Sequence, residues 1–530
     1  MRRKPALVQR ARADARHRYI VKTHAPADVR RARSEPMPML ARDYIILDKP
    51  VRRMAEQALS RAAGAPLIGG NDIGLLIDAK DNFAAWLAAI RSAGHRILLE
   101  NYIFRDDEIG RAFRDALAER ARAGVTVCLI IDWLGSFRES KDAFWQPLLD
   151  AGGEVRRYNP FKMGSPFGWV YRDHRKLLVI DRDVAFLGGL CISAKWLGDE
   201  PHGVKPWRDT AVSIRGPALL QFEQAFADVW AQLGAPLREV ALPEAAVAGD
   251  IDLRIIATQP DTAGMFRLDQ MIAGLAQHSL WISDAYFVGL APYVQALGAA
   301  AADGVDVRLL VPGTSDLPLV RAVSRSGYRP LLERGVRVFE WNGSMMHAKT
   351  AVADGRWARV GSSNLNIASW MGNCEIDVAV ENAAFAKRME EQYLRDLENA
   401  TEIVLAAPRR ARSVSSRRTR RAGGSSSRAT ASALRLAHSM GAALGDRQIL
   451  SSSETVTLPW IAAVTLALAA IAFLWPAVLA WPLAALAAWI GIATAARYVR
   501  VRRARRDVPE NCADTAPLPK PPADSEPQPR

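Results

Sequence analysis

The sequence predicts an α/β protein made of two copies of one domain, each an α/β/α sandwich around a mixed β-sheet, related by a pseudo-twofold axis. An apolar helical hairpin is expected near the C-terminus. Three observations carry this reading. Amphipathic stretches alternate with short apolar runs between residues 66 and 405, the same series of motifs is met twice, and residues 458–496 form a run of 39 without a charged side chain.

In the first repeat, Phe83, Trp86, Leu87 and Ile90 recur at helical spacing, so 82–93 is expected to be a helix. Residues 96–104 read as a buried strand, 109–123 as an amphipathic helix, and 125–131 as a strand ending at Asp132. The second repeat retraces this order with a strand at 279–287, a helix at 290–302, and strands at 304–311 and 336–341. The offsets are nearly constant: Tyr102 and Tyr286 are 184 apart, Gly124 and Gly304 are 180, and His174 and His347 are 173. Pro236 and Pro243 mark the junction, within 232–250. The expected division is a basic, largely disordered arm (1–60), two catalytic domains (61–240 and 250–405), an Arg/Ser-rich linker (406–452), the hairpin (456–497) and a tail (498–530).

Each repeat ends in one motif. His174, Lys176 and Asp181 stand in the pattern His-x-Lys-x4-Asp, followed by Gly188 and Gly189; His347, Lys349 and Asp354 repeat it, followed by Gly361 and Ser362. In a strand, residues two apart share a face, so each His and Lys are expected to point the same way, with the Asp in the following turn. A glycine at the end of the next short run lets a phosphate approach the backbone. Two imidazoles and two ammonium groups suit phosphoryl transfer that needs no metal and no cofactor. One neutral imidazole attacks phosphorus, the other passes a proton to the leaving alcohol, and the lysines neutralise the phosphate oxygens.

The doubled motif resembles the phospholipase D superfamily, and its surroundings resemble bacterial cardiolipin synthases, in the branch without N-terminal membrane spans. The resemblance covers about residues 66–405. Beyond the two signatures it rests on the segment from Glu100 to Gly110, on Asp132-Trp-Leu-Gly-Ser136, on Tyr286-Phe287 and on the segment from Val311 to Val320. It implies catalytic roles for His174, Lys176, Asp181, His347, Lys349 and Asp354, although the two Asp residues suit the fixing of turns better. It implies phosphate contacts from Asn364, Gly188, Gly189 and Ser362, and it supports Asp209 and Glu375 as the carboxylates that orient the imidazoles. Asp209 lies 35 residues past His174, and Glu375 lies 28 past His347. Two departures stand out. The family tends to have Asn 17 residues after each His; Asn364 fits, but Cys191 occupies the first position, and a thiol is a poor hydrogen-bond donor. Ser283-Asp-Ala-Tyr286 replaces a Thr-Pro that tends to precede Tyr-Phe. His17, His24, His95, His202, His278 and His438 lie outside any paired motif; His202, on a loop between His174 and Asp209, is the one closest to a role.

The net charge of +14 is unevenly spread. Residues 1–53 carry 15 Lys/Arg against 5 Asp/Glu, while 409–428 carry 8 Arg and 497–506 carry 6 Arg, both without acids. These segments hold +24 of a total of +14, so the remainder nets −10. Basic arms around an acidic body suit an anionic membrane surface rather than nucleic acid. Cys128, Cys191, Cys374 and Cys512 have neither metal-site nor disulfide spacing. No apolar core of a signal peptide occurs in 1–50. Trp475-Pro476 and Trp481-Pro482 divide the apolar run, and both flanks are Arg-rich, which places both ends in the cytoplasm. The arms are short for spanning helices, so a re-entrant hairpin is the alternative.

These readings converge on a phosphatidyltransferase at the cytoplasmic side of a bacterial inner membrane, making cardiolipin from phosphatidylglycerol, with phosphatidylethanolamine as a conceivable second donor. A phospholipase D-type hydrolase would use the same residues with water. A nuclease and a non-enzymatic scaffold are the remaining alternatives.

Overall fold

The computed structural model describes residues 19–22, 49–137, 139–161, 170–260 and 262–405, with isolated helical positions between 466 and 495. The expected linker and tail, and most of the N-terminal arm and hairpin, lie outside the described residues. By contacts the chain divides into Met1–Pro160 with Val170–Pro459, and Phe161–Trp169 with Trp460–Arg530. In the second unit Phe161 packs its ring 6.2 Å from that of Trp489. Among the described residues no helix is long and apolar enough to cross a membrane.

The first unit is built on one sheet of sixteen strands. In chain order these are β1 (Tyr19–Lys22), β2 (Ile68–Ile77), β3 (Arg96–Asn101), β4 (Thr126–Asp132), β5 (Glu154–Tyr158), β6 (Lys176–Ile180), β7 (Val184–Gly188) and β8 (Thr210–Arg215). The second half contributes β9 (Ile251–Thr258), β10 (Ser279–Ser283), β11 (Asp306–Pro312), β12 (Arg337–Trp341), β13 (Thr350–Ala353), β14 (Trp357–Gly361), β15 (Glu375–Glu381) and β16 (Ala400–Leu405). Outward from the β2–β9 seam, one side runs β8-β7-β6-β3-β4-β5 and the other β15-β14-β13-β10-β11-β12. The two sides are the same series reflected about the seam, as a duplication requires.

β6 explains why the signature's apolar run is unbroken. Leu178 and Ile180 enter the core beneath the helices Asp78–Ser92 and Glu108–Arg122. Leu177 and Val179 enter the core that meets the helix Leu219–Gln232 on the opposite face. A strand covered on both faces needs apolar residues at every position. That second core also takes Val352, Ala358, Phe385 and Met389, so apolar packing crosses the seam.

The expected strand 96–104 stops at Asn101, because the chain leaves the sheet there. The Ser136 hydroxyl donates to Tyr102 O and accepts the Phe104 N–H, bending the segment over the end of the sheet. The N-terminal arm is also shorter than expected. Lys49–Ala63 is a helix whose end packs Ala63 and Ala65 into the second-half core, and β1 pairs antiparallel with β16. The helix meets that core through Leu59 and Ala63.

The turn aspartates lie at the far ends of their strands. Asp181 (φ 53°) accepts the N–H groups of Gly94, His95 and Arg96 at 2.6–2.9 Å, and Asp354 (φ 50°) accepts those of Gln277, His278 and Ser279 at 2.8–2.9 Å. Each carboxylate ties the turn after its motif to the start of a neighbouring strand. Asp354→Ala, which removes three bonds to an ionised acceptor at a left-handed position, is expected to cost about 2–3 kcal/mol. Urea unfolding measures this, while the folded fraction retains its turnover; loss of turnover without loss of stability would give Asp354 a chemical role instead.

Candidate active site

The site forms where backbone ladders from the two halves meet. Asp173 bridges to Cys374, and Arg208 to Met346, both in parallel. The His174 N–H donates to Cys374 O at 2.9 Å, and the His347 N–H donates to Arg208 O at 2.8 Å. These rungs set each histidine beside the residue after its neighbour across the seam, which is Glu375 for His174 and Asp209 for His347. His174 Nδ1 lies 3.0 and 3.1 Å from the Glu375 oxygens, and His347 Nδ1 lies 2.8 Å from Asp209 Oδ2. Each acid therefore serves the histidine of the other repeat, not the one it follows in sequence.

Both carboxylates are held from behind. Glu375 accepts the Ser362 hydroxyl at 2.6 Å and the Asn373 amide at 3.2 Å, and its backbone carbonyl accepts Arg175 Nε at 3.1 Å. Asp209 accepts Trp196 Nε1 at 2.9 Å, and its N–H donates to Asp78. Arg208, gripped by Asp396 through two bonds of 2.8 and 2.9 Å, fixes the adjoining backbone.

Burial costs His174 its proton more than Glu375 helps to keep it, and Lys176 adds to the depression. For His347, burial and the Lys349 ammonium outweigh Asp209 and bring the imidazole to about 4. Burial opposes ionisation of Glu375, yet His174, Lys176 and the Ser362 hydroxyl prevail and bring it to about 2. Asp209 is lowered in the same way, its burial overcome by His347 and Lys349. At neutral pH the arrangement is a neutral imidazole with its Nδ1–H on an ionised carboxylate, which leaves Nε2 as the basic nitrogen; at His347 the Lys349 Nζ stands 3.1 Å from that nitrogen. Glu375 thus contributes stability above its unfolded value of 4.5, and that contribution is lost as pH falls toward 2. The stability difference between the protein and Glu375→Gln is expected to shrink as pH drops from 4.5 to 2, read from urea midpoints.

Lys176 Nζ donates to His174 O and stands 5.2 Å over the Tyr102 ring; Lys349 Nζ donates to His347 O and stands 5.8 Å over the Tyr286 ring. The tyrosines present edges to the histidines at 4.9 and 5.8 Å. Trp196 and Trp207 lie 5.3 and 5.6 Å from the His347 ring, with no tryptophan counterpart at His174 among the described residues. Neither these aromatics nor Asp78, Arg208 and Asp396 figured among the expected site residues. The Tyr102/Tyr286 repeat was one signal present; Trp196, 22 residues past His174, has Trp370 as its counterpart 23 past His347, but Trp370 donates to Asp269 instead of the site carboxylate.

Asn364 is buried, and its Oδ1 has no hydrogen-bond partner among the described residues. Cys191 is buried with a free thiol that burial pushes upward against the pull of Lys176. The glycines are a correction. A Cβ on Gly189 would strike the Asp209 carboxylate, and one on Gly188 would strike Thr210 O and Ala211, while the Gly189 N–H already donates to Thr210 O. The space left by the missing side chain at Gly189 is filled by Asp209, not left open for phosphate. Ser362 is likewise committed to Glu375 and to the Ile376 N–H. Asp181 and Asp354 are not brought to the site. His202 is exposed and paired with Asp199, and His95 and His278 are exposed; His17, His24 and His438 lie outside the described residues.

The profile of the family described as "Cardiolipin synthase, PLD-like domain" matches residues 86–230 and 270–397, which includes both signatures. The cardiolipin synthase of Halalkalibacterium halodurans is 34% identical over 350 residues, covering 65% of this chain and 69% of that one. The chain belongs to the phospholipase D-like cardiolipin synthase family. It is an enzyme, a phosphatidyltransferase of the phospholipase D superfamily. Cardiolipin synthase A of Pseudomonas fluorescens is 30% identical over 357 residues, covering 66% of this chain and 73% of that one. Among solved structures, the phosphatidylserine synthase of Haemophilus influenzae Rd KW20 superposes with a TM-score of 0.51 at 14% identity, covering 67% of this chain and 92% of that one, a likeness of fold.

Proposed function

We propose that the chain joins two phosphatidylglycerol molecules into cardiolipin and releases glycerol, through a phosphatidyl-histidine intermediate. The observation that carries this is the pair of imidazoles, each with its Nδ1 on a buried carboxylate and a lysine beside it. His174 Nε2 attacks the donor phosphorus, the bond to the glycerol oxygen breaks, and His347 delivers a proton to that oxygen. An incoming phosphodiester anion favours protonation of His347, which is otherwise held neutral. His347 then takes the proton from a headgroup hydroxyl of the second phosphatidylglycerol; that oxygen attacks phosphorus, the P–N bond breaks, and His174 returns to its neutral form. Lys176, Lys349 and Asn364 hold the phosphate oxygens. The choice of His174 as nucleophile follows the family resemblance. The basic arms and the apolar run support action at the cytoplasmic face of a bacterial inner membrane.

The test supplies purified protein in membranes with labelled phosphatidylglycerol, with and without EDTA. Labelled cardiolipin and free glycerol in equal amounts, unchanged by EDTA, are expected. Phosphatidic acid as the sole product would make the enzyme a hydrolase instead.

A further inference from the structure

Exposed apolar side chains occur in several places, and one group of them follows the strands that end beside the histidines. Leu317, Leu319 and Val323 are exposed after β11, on and just before the helix Pro318–Ser326; Leu134 and Phe137 are exposed at the equivalent place after β4. Both loops adjoin the histidines. Asp132, the last residue of β4, accepts the N–H of Asp173, next to His174. Asp316 accepts the hydroxyl of Tyr286 at 2.8 Å, and the ring of Tyr286 stands 5.8 Å from His347.

The helix is turned the wrong way for a helix that packs on a core. An amphipathic surface helix ordinarily directs its apolar stripe inward. Here Leu319 and Val323, four residues apart on one face, are 78% and 45% exposed, while Ser324 is buried. From residue 317 to 329 the chain has three arginines and no acid. Arg325 and Arg329 hold Glu340 and Glu333; Arg321 is half-buried, with its Nε shut off from solvent, and has no acidic partner among the described residues. An exposed apolar stripe flanked by arginines is the pattern of a helix that lies in the headgroup region of a bilayer.

We propose that this group, with the helix Pro318–Ser326 as its main element, is the surface by which the catalytic body sits on an anionic phospholipid bilayer. Leu319 and Val323 enter the boundary of the acyl chains, Arg321 meets lipid phosphates, and the loop carrying Leu134 and Phe137 makes the matching contact beside His174. The inference rests on the lipid reading of the site. A phosphatidyl group keeps its acyl chains in the bilayer, yet its phosphorus must reach His174, which is 9% exposed, so the rim around the histidines has to meet the lipid.

The test uses the full chain with Cys512→Ser. Cys128, Cys191 and Cys374 are at most 2% exposed, so a thiol-directed fluorophore goes to an introduced cysteine. Leu319→Cys is labelled in one sample and His278→Cys, at the opposite end of β10, in another, and each is reconstituted into phosphatidylglycerol vesicles with brominated acyl chains. Quenching at 319 roughly fivefold stronger than at 278 is expected for an interfacial helix. Equal quenching overturns the proposal. So does self-quenching between labelled copies without dependence on bromine, which would assign the face to a second copy of the chain. In parallel, the double variant Leu319→Ser, Val323→Ser is expected to turn over vesicle-borne phosphatidylglycerol about tenfold more slowly and short-chain, water-dispersed phosphatidylglycerol at the unchanged rate, since only the first requires docking. Equal rates on both substrates count against the surface. The quenching needs no turnover, so a quenched label in a protein that makes no cardiolipin overturns the function and leaves the surface standing.

Discussion

Alanine at His174 is expected to remove turnover and to leave no lipid attached to the protein when the reaction is stopped in alkali, where a phosphorus–nitrogen bond survives. Alanine at His347 is also expected to bring turnover close to zero, but with labelled lipid still attaching slowly to the chain. The difference follows from the two roles. Without a nucleophile no adduct exists, whereas losing a general acid and base costs roughly 10²–10⁴-fold in each step and leaves the attacking nitrogen in place. Quenched-flow measurement of labelled phosphatidylglycerol, followed by gel analysis of the protein, reads both quantities. Adduct in His174→Ala and none in His347→Ala would reverse the roles. Wild-type turnover in either variant would end the two-histidine scheme.

The crossed carboxylates give the second large effect. Glu375→Gln and Asp209→Asn keep the shape of each side chain but remove the charge that fixes the tautomer and favours the imidazolium. A loss near 10⁴-fold is expected, comparable to that of the buried acid in a Ser-His-Asp triad. The pattern of adducts carries the test of the crossing. Glu375→Gln, which loosens His174, should resemble His174→Ala, with little adduct. Asp209→Asn, which loosens His347, should resemble His347→Ala, with adduct forming and persisting. Partnership within each repeat would exchange the two patterns.

The element order of both repeats was legible in the sequence because each strand and helix writes its own periodicity. Phe83, Trp86 and Ile90 mark one buried helical face, and the unbroken run from Leu177 to Ile180 marks a strand with cores on both sides. The residues of the site were legible where they repeat: His174 with His347, Lys176 with Lys349, Asp181 with Asp354. What lies across the seam was not. Sequence spacing sets Asp209 behind His174 and Glu375 behind His347, and only the rungs from Asp173 to Cys374 and from Arg208 to Met346 exchange them. Gly189 carried a misleading signal for a related reason. A glycine announces a close approach but not what approaches, and here it is the carboxylate that holds His347. Trp196 and Trp207 were not legible as site residues, since they pack on His347 alone among the described residues, while Trp370, the counterpart of Trp196, turns to Asp269.

The crossing also bears on what a ribosome releases. His174 and its carboxylate are separated by 201 residues of chain. At a synthesis rate of roughly 5–20 residues per second, His174 waits about 10–40 s before Glu375 is even translated. Throughout that interval the nascent first repeat has its own imidazole, lysine and glycines but no group to hold the ring's tautomer. On the proposed mechanism, a chain that stalls or is cut short before the second repeat is complete would therefore lack the carboxylate that readies His174 for attack.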